Sequence, residues 1–326
     1  MDPVLFGRDI ERTPDTLREL SAALRESNPW AAPLDGFGDG SAGRRRLVLL
    51  GMGSSHFANS VVALRLQAAG MNAIAVLASA DPLPQVDASD VVIAVSASGG
   101  SAETVEAIGR YSGRCSTIAM TNTTDSAIEA ACDRHVSMLA GKEEGGVACR
   151  SFAHTLGLHL ALLELVVGGV EASSLMTSSA DAVEDLLIRR DEWLAPMSDL
   201  LLGPDGTAIV APVRRLASAQ QGALMLREGP RLPAIACETG DWSHIDVYLT
   251  KTTDYRMLLL PGSKWEPQLM DWCNKRESTV VALGAEIPGA ASTLRYRGDE
   301  IDDVRLLTEA IVMELVAQRA WEEALH

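Results

Sequence analysis

The chain has 326 residues, 47% of them hydrophobic but only 4% aromatic, so Ala, Val, Leu and Ile must fill any core it builds. Twenty-eight Lys and Arg against 44 Asp and Glu leave a formal charge of −16, which argues against a nucleic-acid partner or an anionic membrane surface. Five scattered cysteines (Cys115, Cys132, Cys149, Cys237, Cys273) include no C-x-x-C pair, and no stretch reaches the ~18 uncharged apolar residues of a membrane span, so no metal or disulfide framework is read and a soluble, cytoplasmic protein is expected.

Arg8–Leu24 alternates charged and apolar residues at helical spacing, and the charges before it stand where a signal peptide needs an apolar run. Asn28–Ala42, rich in Pro, Gly, Ala and Asp, reads as a connector. Leu47–Leu50 is a buried-strand candidate ending in Gly51-Met52-Gly53-Ser54-Ser55-His56, before a helix over Phe57–Ala69. Strands follow at Ala73–Leu77, Val91–Val95, Ser116–Met120 and His135–Met138, with a helix starting near Glu103. Phe152–Val167 and Ser179–Leu202 read as helices. A second α/β series then opens at Thr207–Val210, with strands at Pro233–Cys237, Arg256–Leu260 and Thr279–Leu283 and helices near Ser218–Arg227 and Val304–Ala324. Short apolar runs alternating with helices predict parallel, doubly wound sheets. The expected layout is an N-terminal helix and connector over 1–40, a first domain over 41–170, a connecting helix over 171–202 and a second domain over 203–326.

Val91–Val95 runs directly into Ser96-Ala97-Ser98-Gly99-Gly100-Ser101 and then a helix. Such a loop gathers backbone N–H groups and hydroxyls at a helix N-terminus, the chemistry of a phosphate site, although serines that merely cap the helix would look the same. A second glycine–serine loop, Gly51–Ser55, ends a neighbouring strand, and in open α/β sheets ligands sit beyond the carboxyl ends of strands. It lacks the third glycine of a dinucleotide fingerprint, and neither loop has the lysine of a nucleotide-phosphate loop, so a sugar phosphate suits them better than a nucleotide and no cofactor is expected.

Gly53-Ser54-Ser55, Ser96-x-Ser98-Gly99-x-Ser101-x-Glu103-Thr104, Met120-Thr121-Asn122 and Glu144-x-x-Val147-Ala148 together resemble the sugar isomerase (SIS) domain, and nearly the whole chain resembles a double-SIS protein. The resemblance implies two flavodoxin-like domains in tandem. It implies that Ser96, Ser98, Gly99 and Ser101 hold a phosphate, that Gly53, Ser54 and Ser55 line the opposite wall, and that Val147, Ala148 and Cys149 contact the sugar. Gly222–Glu228 resembles the helix whose glutamate moves a proton between C1 and C2, and His244, sixteen residues on, falls where the family opens the sugar ring. The chemistry is consistent: ring opening needs an acid/base near pH 7, for which imidazole is suited, and enolisation needs a base such as a partly buried carboxylate. In the family that histidine comes from a neighbouring subunit, so a homodimer with a shared site is implied.

The pattern also departs from the family. Met225 stands where a lysine is usual, Ala97 replaces a glutamine, and Glu322–His326 offers no lysine for a Schiff base. No cysteine glutaminase segment precedes the SIS-like part, so glutamine-dependent synthesis is not expected. The resemblance therefore implies isomerisation or deamination of an (amino-)hexose 6-phosphate without glutamine; the alternative is a phosphosugar sensor that has lost the chemistry.

Overall fold

The computed structural model describes residues 1–35 and 45–325. The end of the expected connector and the boundary at residue 40 lie outside these described residues. The chain divides into two compact units: 16–142 with 150–177, and 1–15 with 143–149 and 178–326.

The first elements are two helices, α1 (Pro3–Glu11) and α2 (Thr13–Glu26), where one was expected. Asp2 caps α1 by accepting from the Val4 and Leu5 amides, and the chain breaks at Arg12. There follow β1 (Arg46–Gly51), α3 (Gly53–Ala68), β2 (Asn72–Leu77), β3 (Val91–Val95), α4 (Ala102–Gly109), β4 (Ser116–Thr121), α5 (Ala127–Ala130), β5 (Arg134–Ser137) and α6 (Arg150–Val166). The strands form a parallel sheet of order β2-β1-β3-β4-β5. β3 is buried along its whole length whereas edge strand β5 buries only Val136, which explains the continuous apolar run in one and its absence in the other. α6 is buried on nearly every side through Leu163. Trp30 is fully buried in this unit, and its indole N–H donates to the Leu158 carbonyl of α6 at 2.7 Å.

The second unit continues through α7 (Ala172–Ile188), α8 (Arg190–Leu201), β6 (Thr207–Ala211), α9 (Leu216–Glu228), β7 (Ala234–Glu238), β8 (Arg256–Leu259), α10 (Glu266–Lys275), β9 (Thr279–Leu283), β10 (Ser292–Leu294) and α11 (Asp302–Glu323). Its sheet has the order β10-β9-β8-β6-β7; read from the β7 edge, that is the order of the first sheet. Two doubly wound parallel sheets in tandem, as expected from the alternating pattern, are therefore present. α7 and α8 replace the single helix expected over Ser179–Leu202, with the junction at Arg189.

In both sheets the direction of winding reverses beside the second strand, between β1 and β3 and between β6 and β8. A crevice opens there beyond the strand ends. In the second unit its own side chains fill it. Arg215, fully buried, reaches both carboxylate oxygens of buried Glu309 through Nη1 and Asp302 through Nε at 3.0 Å. Arg305 donates to Glu309 as well, at 2.8 Å. Replacing Glu309 with leucine leaves Arg215 buried beside fewer anions and should cost about 3–5 kcal/mol, because an uncompensated interior charge is expensive. Urea unfolding of Glu309→Leu is the check: a midpoint equal to wild type would contradict this role.

Candidate functional site

The first sheet aligns its strand ends: Val95 pairs with Gly51 on one side and Met120 on the other. The loops that leave β1, β3 and β4 therefore start at one level. The stretch Gly53, Ser54 and Ser55 forms the first turn of α3, earlier than the Phe57 start expected, and Met52 at its N-cap gives no side-chain hydrogen bond. The amide end of that helix faces the crevice side of the sheet without a side-chain cap of its own.

The Ser96–Ser101 loop is pinned from beneath. The Ser96 amide donates to Met120, the Asn122 amide and Thr121 hydroxyl to Ala97, and the Ile128 amide to Gly99. Gly99 has a φ of +64°, and a Cβ there would lie 2.3 Å from the Ser126 side chain, so the turn requires glycine. Of the expected phosphate ligands, Ser98 is exposed, Ser101 is half-buried and Ser96 is buried. Ser101 caps α4, accepting from the Thr104 amide at 3.4 Å and donating to Glu103 Oε2 at 2.9 Å. At this residue the serine is a helix cap, and its donor hydrogen rests on an exposed carboxylate. Asn122 serves the loop's surroundings, accepting from the Ala140 amide and donating to the Gly141 carbonyl.

In the second unit the equivalent loop, after β8, is closed. The Gly262 and Ser263 amides both donate to Glu266 Oε1, so a carboxylate of the chain already occupies that turn. Equal topology thus yields one loop with exposed hydroxyls and one that is self-neutralised.

Residues 143–149 belong to the second unit and are tied to it closely. The Gly145 amide donates to Asp9 Oδ2 at 2.7 Å, and a Cβ on Gly145 would fall 2.5 Å from the Phe6 backbone. The Cys149 amide donates to Glu143 Oε1 at 2.8 Å, and Gln221 of α9 donates to the Ala148 carbonyl at 2.7 Å. Val147 and Cys149 are buried, while Ala148 is half-buried. Glu228 is the last residue of α9, half-buried and without an ion pair among the described residues. Burial and, after it, the nearby Glu143 hold its carboxyl above the usual carboxylate range. Glu143 was not read from the sequence as a site residue, nor was Gln221.

His244 lies elsewhere in this unit, on the 3₁₀ segments after β7, with an exposed ring and no hydrogen bond to Glu228 among the described residues. Two other histidines lie near the glycine–serine loops. His154 is buried, held by the Met138 carbonyl, and pushed down to about 4 by burial. His56 is lowered by the same cause.

Residues 42–167, less than half of the chain, match the family model of the SIS domain. Among curated relatives, the chain is 24% identical over 282 residues to glutamine–fructose-6-phosphate aminotransferase (isomerizing) of Sulfurisphaera tokodaii. That match covers 84% of this chain and 46% of the relative, so the chain spans less than half the relative's length. Among solved structures it is similar to the C-terminal domain of glucosamine-fructose-6-phosphate aminotransferase from Francisella tularensis, with a TM-score of 0.80 at 16% identity over 98% of this chain and 96% of that one. Glucosamine-6-phosphate deaminase from Thermotoga maritima gives a TM-score of 0.73 at 15% identity, over 98% and 94% of the two chains. These likenesses show a shared fold. No helix among the described residues is long and apolar enough to cross a membrane.

The two glycines of the serine loop provide a direct check on its geometry. Gly99→Ala must displace Ser126 and should lose about 2–3 kcal/mol, whereas Gly100→Ala enters open space and should stay within about 0.5 kcal/mol of wild type. Thermal unfolding of both variants decides; equal melting points would mean the turn is not built as described.

Proposed function

We propose that the chain binds a hexose 6-phosphate or amino-hexose 6-phosphate and catalyses its aldose–ketose isomerisation, releasing ammonia where C2 carries nitrogen. The observation that carries this is the contrast between the two sheets, whose equivalent loops differ in being open, with Ser98 exposed, or closed by Glu266. Ser96, Ser98, Gly99 and Ser101 are assigned to the phosphate, and Gly53, Ser54 and Ser55 to the facing helix end. Val147, Ala148 and Cys149 are assigned to the sugar.

Glu228 is the proposed base. It takes the C2 proton of the open-chain sugar while O1 gains a proton and the C2 heteroatom loses one, and it then returns its proton to C1. With nitrogen at C2 the product is an imine, which water hydrolyses to ketose and ammonia. A carboxyl made more basic by burial suits this task better than a solvated one. His244 is the proposed ring-opening group. The exposed Ile245, Tyr248 and Leu249 beside it, at 56%, 62% and 42%, support a homodimer in which this face is covered by a second copy.

Binding without turnover is favoured by one observation. Met225, at the position of the family's lysine, is buried with its sulfur 3.6 Å from Gln221 Nε2, so that ammonium is replaced by packing. Turnover separates the two readings. Fructose 6-phosphate and glucosamine 6-phosphate are each incubated with the protein while aldose, ketose and ammonia are measured. Glu228→Gln should lower turnover by about 10²–10⁴-fold with binding retained. The acid limb of the wild-type pH profile should lie above the ordinary glutamate range, since the base acts only when ionised. Unchanged turnover in Glu228→Gln would remove the proposed base; binding with no turnover by wild type would establish the sensor.

A further inference from the structure

In the apolar run Ile311–Ala317 of α11 stands one carboxyl, Glu314, at 1% exposure. It meets the Gln221 amide, while its Oε2 has no hydrogen-bond partner. An apolar residue would fill such a position at lower cost, so the carboxyl calls for a physical reason. Its surroundings supply one. Gly222 lets α9 and α11 cross closely, since a Cβ there would lie 2.9 Å from Met313 Cβ. At this crossing Gln221 joins Glu314 to the Ala148 carbonyl.

We infer that Glu314 is a positioning residue: by holding Gln221 it fixes the Ala148 carbonyl, and with it the Val147–Cys149 stretch against which the proposed function sets the sugar. The inference rests on that reading for the sugar, but not for the positioning. Glu314 does this as an uncharged acid. Burial and then Glu143 raise its pKa to about 8, with the Gln221 hydrogen bond opposing them. The groups that act on it or lie on the elements it joins are these. Residues 143–149 contribute Glu143; α9 contributes neutral Gln221 and, at its far end, Glu228. On α1, Asp9 accepts from the Gly145 amide, and on α11 itself Glu309 is engaged by Arg215 and Arg305. The folded pKa lies above the unfolded value of 4.5, so the stabilisation is full below 4.5 and is lost as pH rises through about 8. Ionised, Glu314 is repelled by Glu143 and the segment loosens.

Two variants test this. Glu314→Gln keeps the shape and an acceptor but cannot ionise; Glu314→Leu fills the space with no acceptor. Amide hydrogen exchange of residues 143–149, corrected for intrinsic rates, is followed in the free protein from about pH 6.5 to about pH 9, a span that crosses the ionisation. Protection in wild type should fall about tenfold across that span, stay level in Glu314→Gln, and be low throughout in Glu314→Leu. Fructose 6-phosphate affinity, measured by calorimetry, should follow the same three courses. Glu314→Gln tracking the wild-type decline, or Glu314→Leu matching wild-type protection, would overturn the inference. If exchange behaves as stated while none of the three proteins binds fructose 6-phosphate, the positioning role stands and the sugar reading fails.

Discussion

A parallel sheet whose winding changes direction cannot close the space above the strands at which it turns. Neighbouring loops leave in opposite directions there, and backbone amides are left facing a gap. Something of opposite polarity must satisfy them. The second unit uses its own charges, with Arg215, Glu309 and Asp302 in the crevice and Glu266 seated in the turn after β8. The first unit puts glycine and serine there, pinned by β4 and the start of α5. One topology is thus satisfied from within in one copy and left polar in the other, and the proposed function seats the substrate's phosphate at the polar one.

The second unit handles buried carboxyls in two ways, and the difference bears on the chemistry. Glu309 is surrounded by guanidinium donors and works as a structural anion. Glu228 and Glu314 are buried with another carboxylate, Glu143, as the ionisable neighbour that acts on both. Withdrawal from water without a counter-charge makes a carboxyl hold its proton more tightly. For Glu314 that yields a neutral hydrogen-bonding group inside a helix packing layer. For Glu228, only half-buried, it yields a more basic carboxylate at a helix end.

Much of this was legible in the sequence because it rests on local pattern. Apolar runs such as Val91–Val95 and Thr279–Leu283 announce strands buried on both faces, and the Gly/Ser clusters after them mark loops that need special backbone geometry. Thr13-Pro14 suits the start of α2, but the charged and apolar alternation running through Arg12 hid the break before it, and at Arg189 no glycine or proline marks the junction. The three-residue strand β10 is too short and too exposed to show a period. Glu143 and Gln221 acquire their roles through pairings distant in sequence, which no single-chain pattern encodes. Glu314 did leave a trace, one acid among the six apolar residues of Ile311–Ala317, but its partner on α9 was needed to give it meaning.

The proposed function depends on a dianion being seated at the serine loop of the first sheet. Crystals grown with fructose 6-phosphate would show this most directly. The prediction is a phosphate within hydrogen-bonding distance of the Ser98 and Ser101 hydroxyls and of the loop amides around Gly99. A phosphate bound elsewhere, or a loop that keeps Ser101 on Glu103 at saturating ligand, would contradict it.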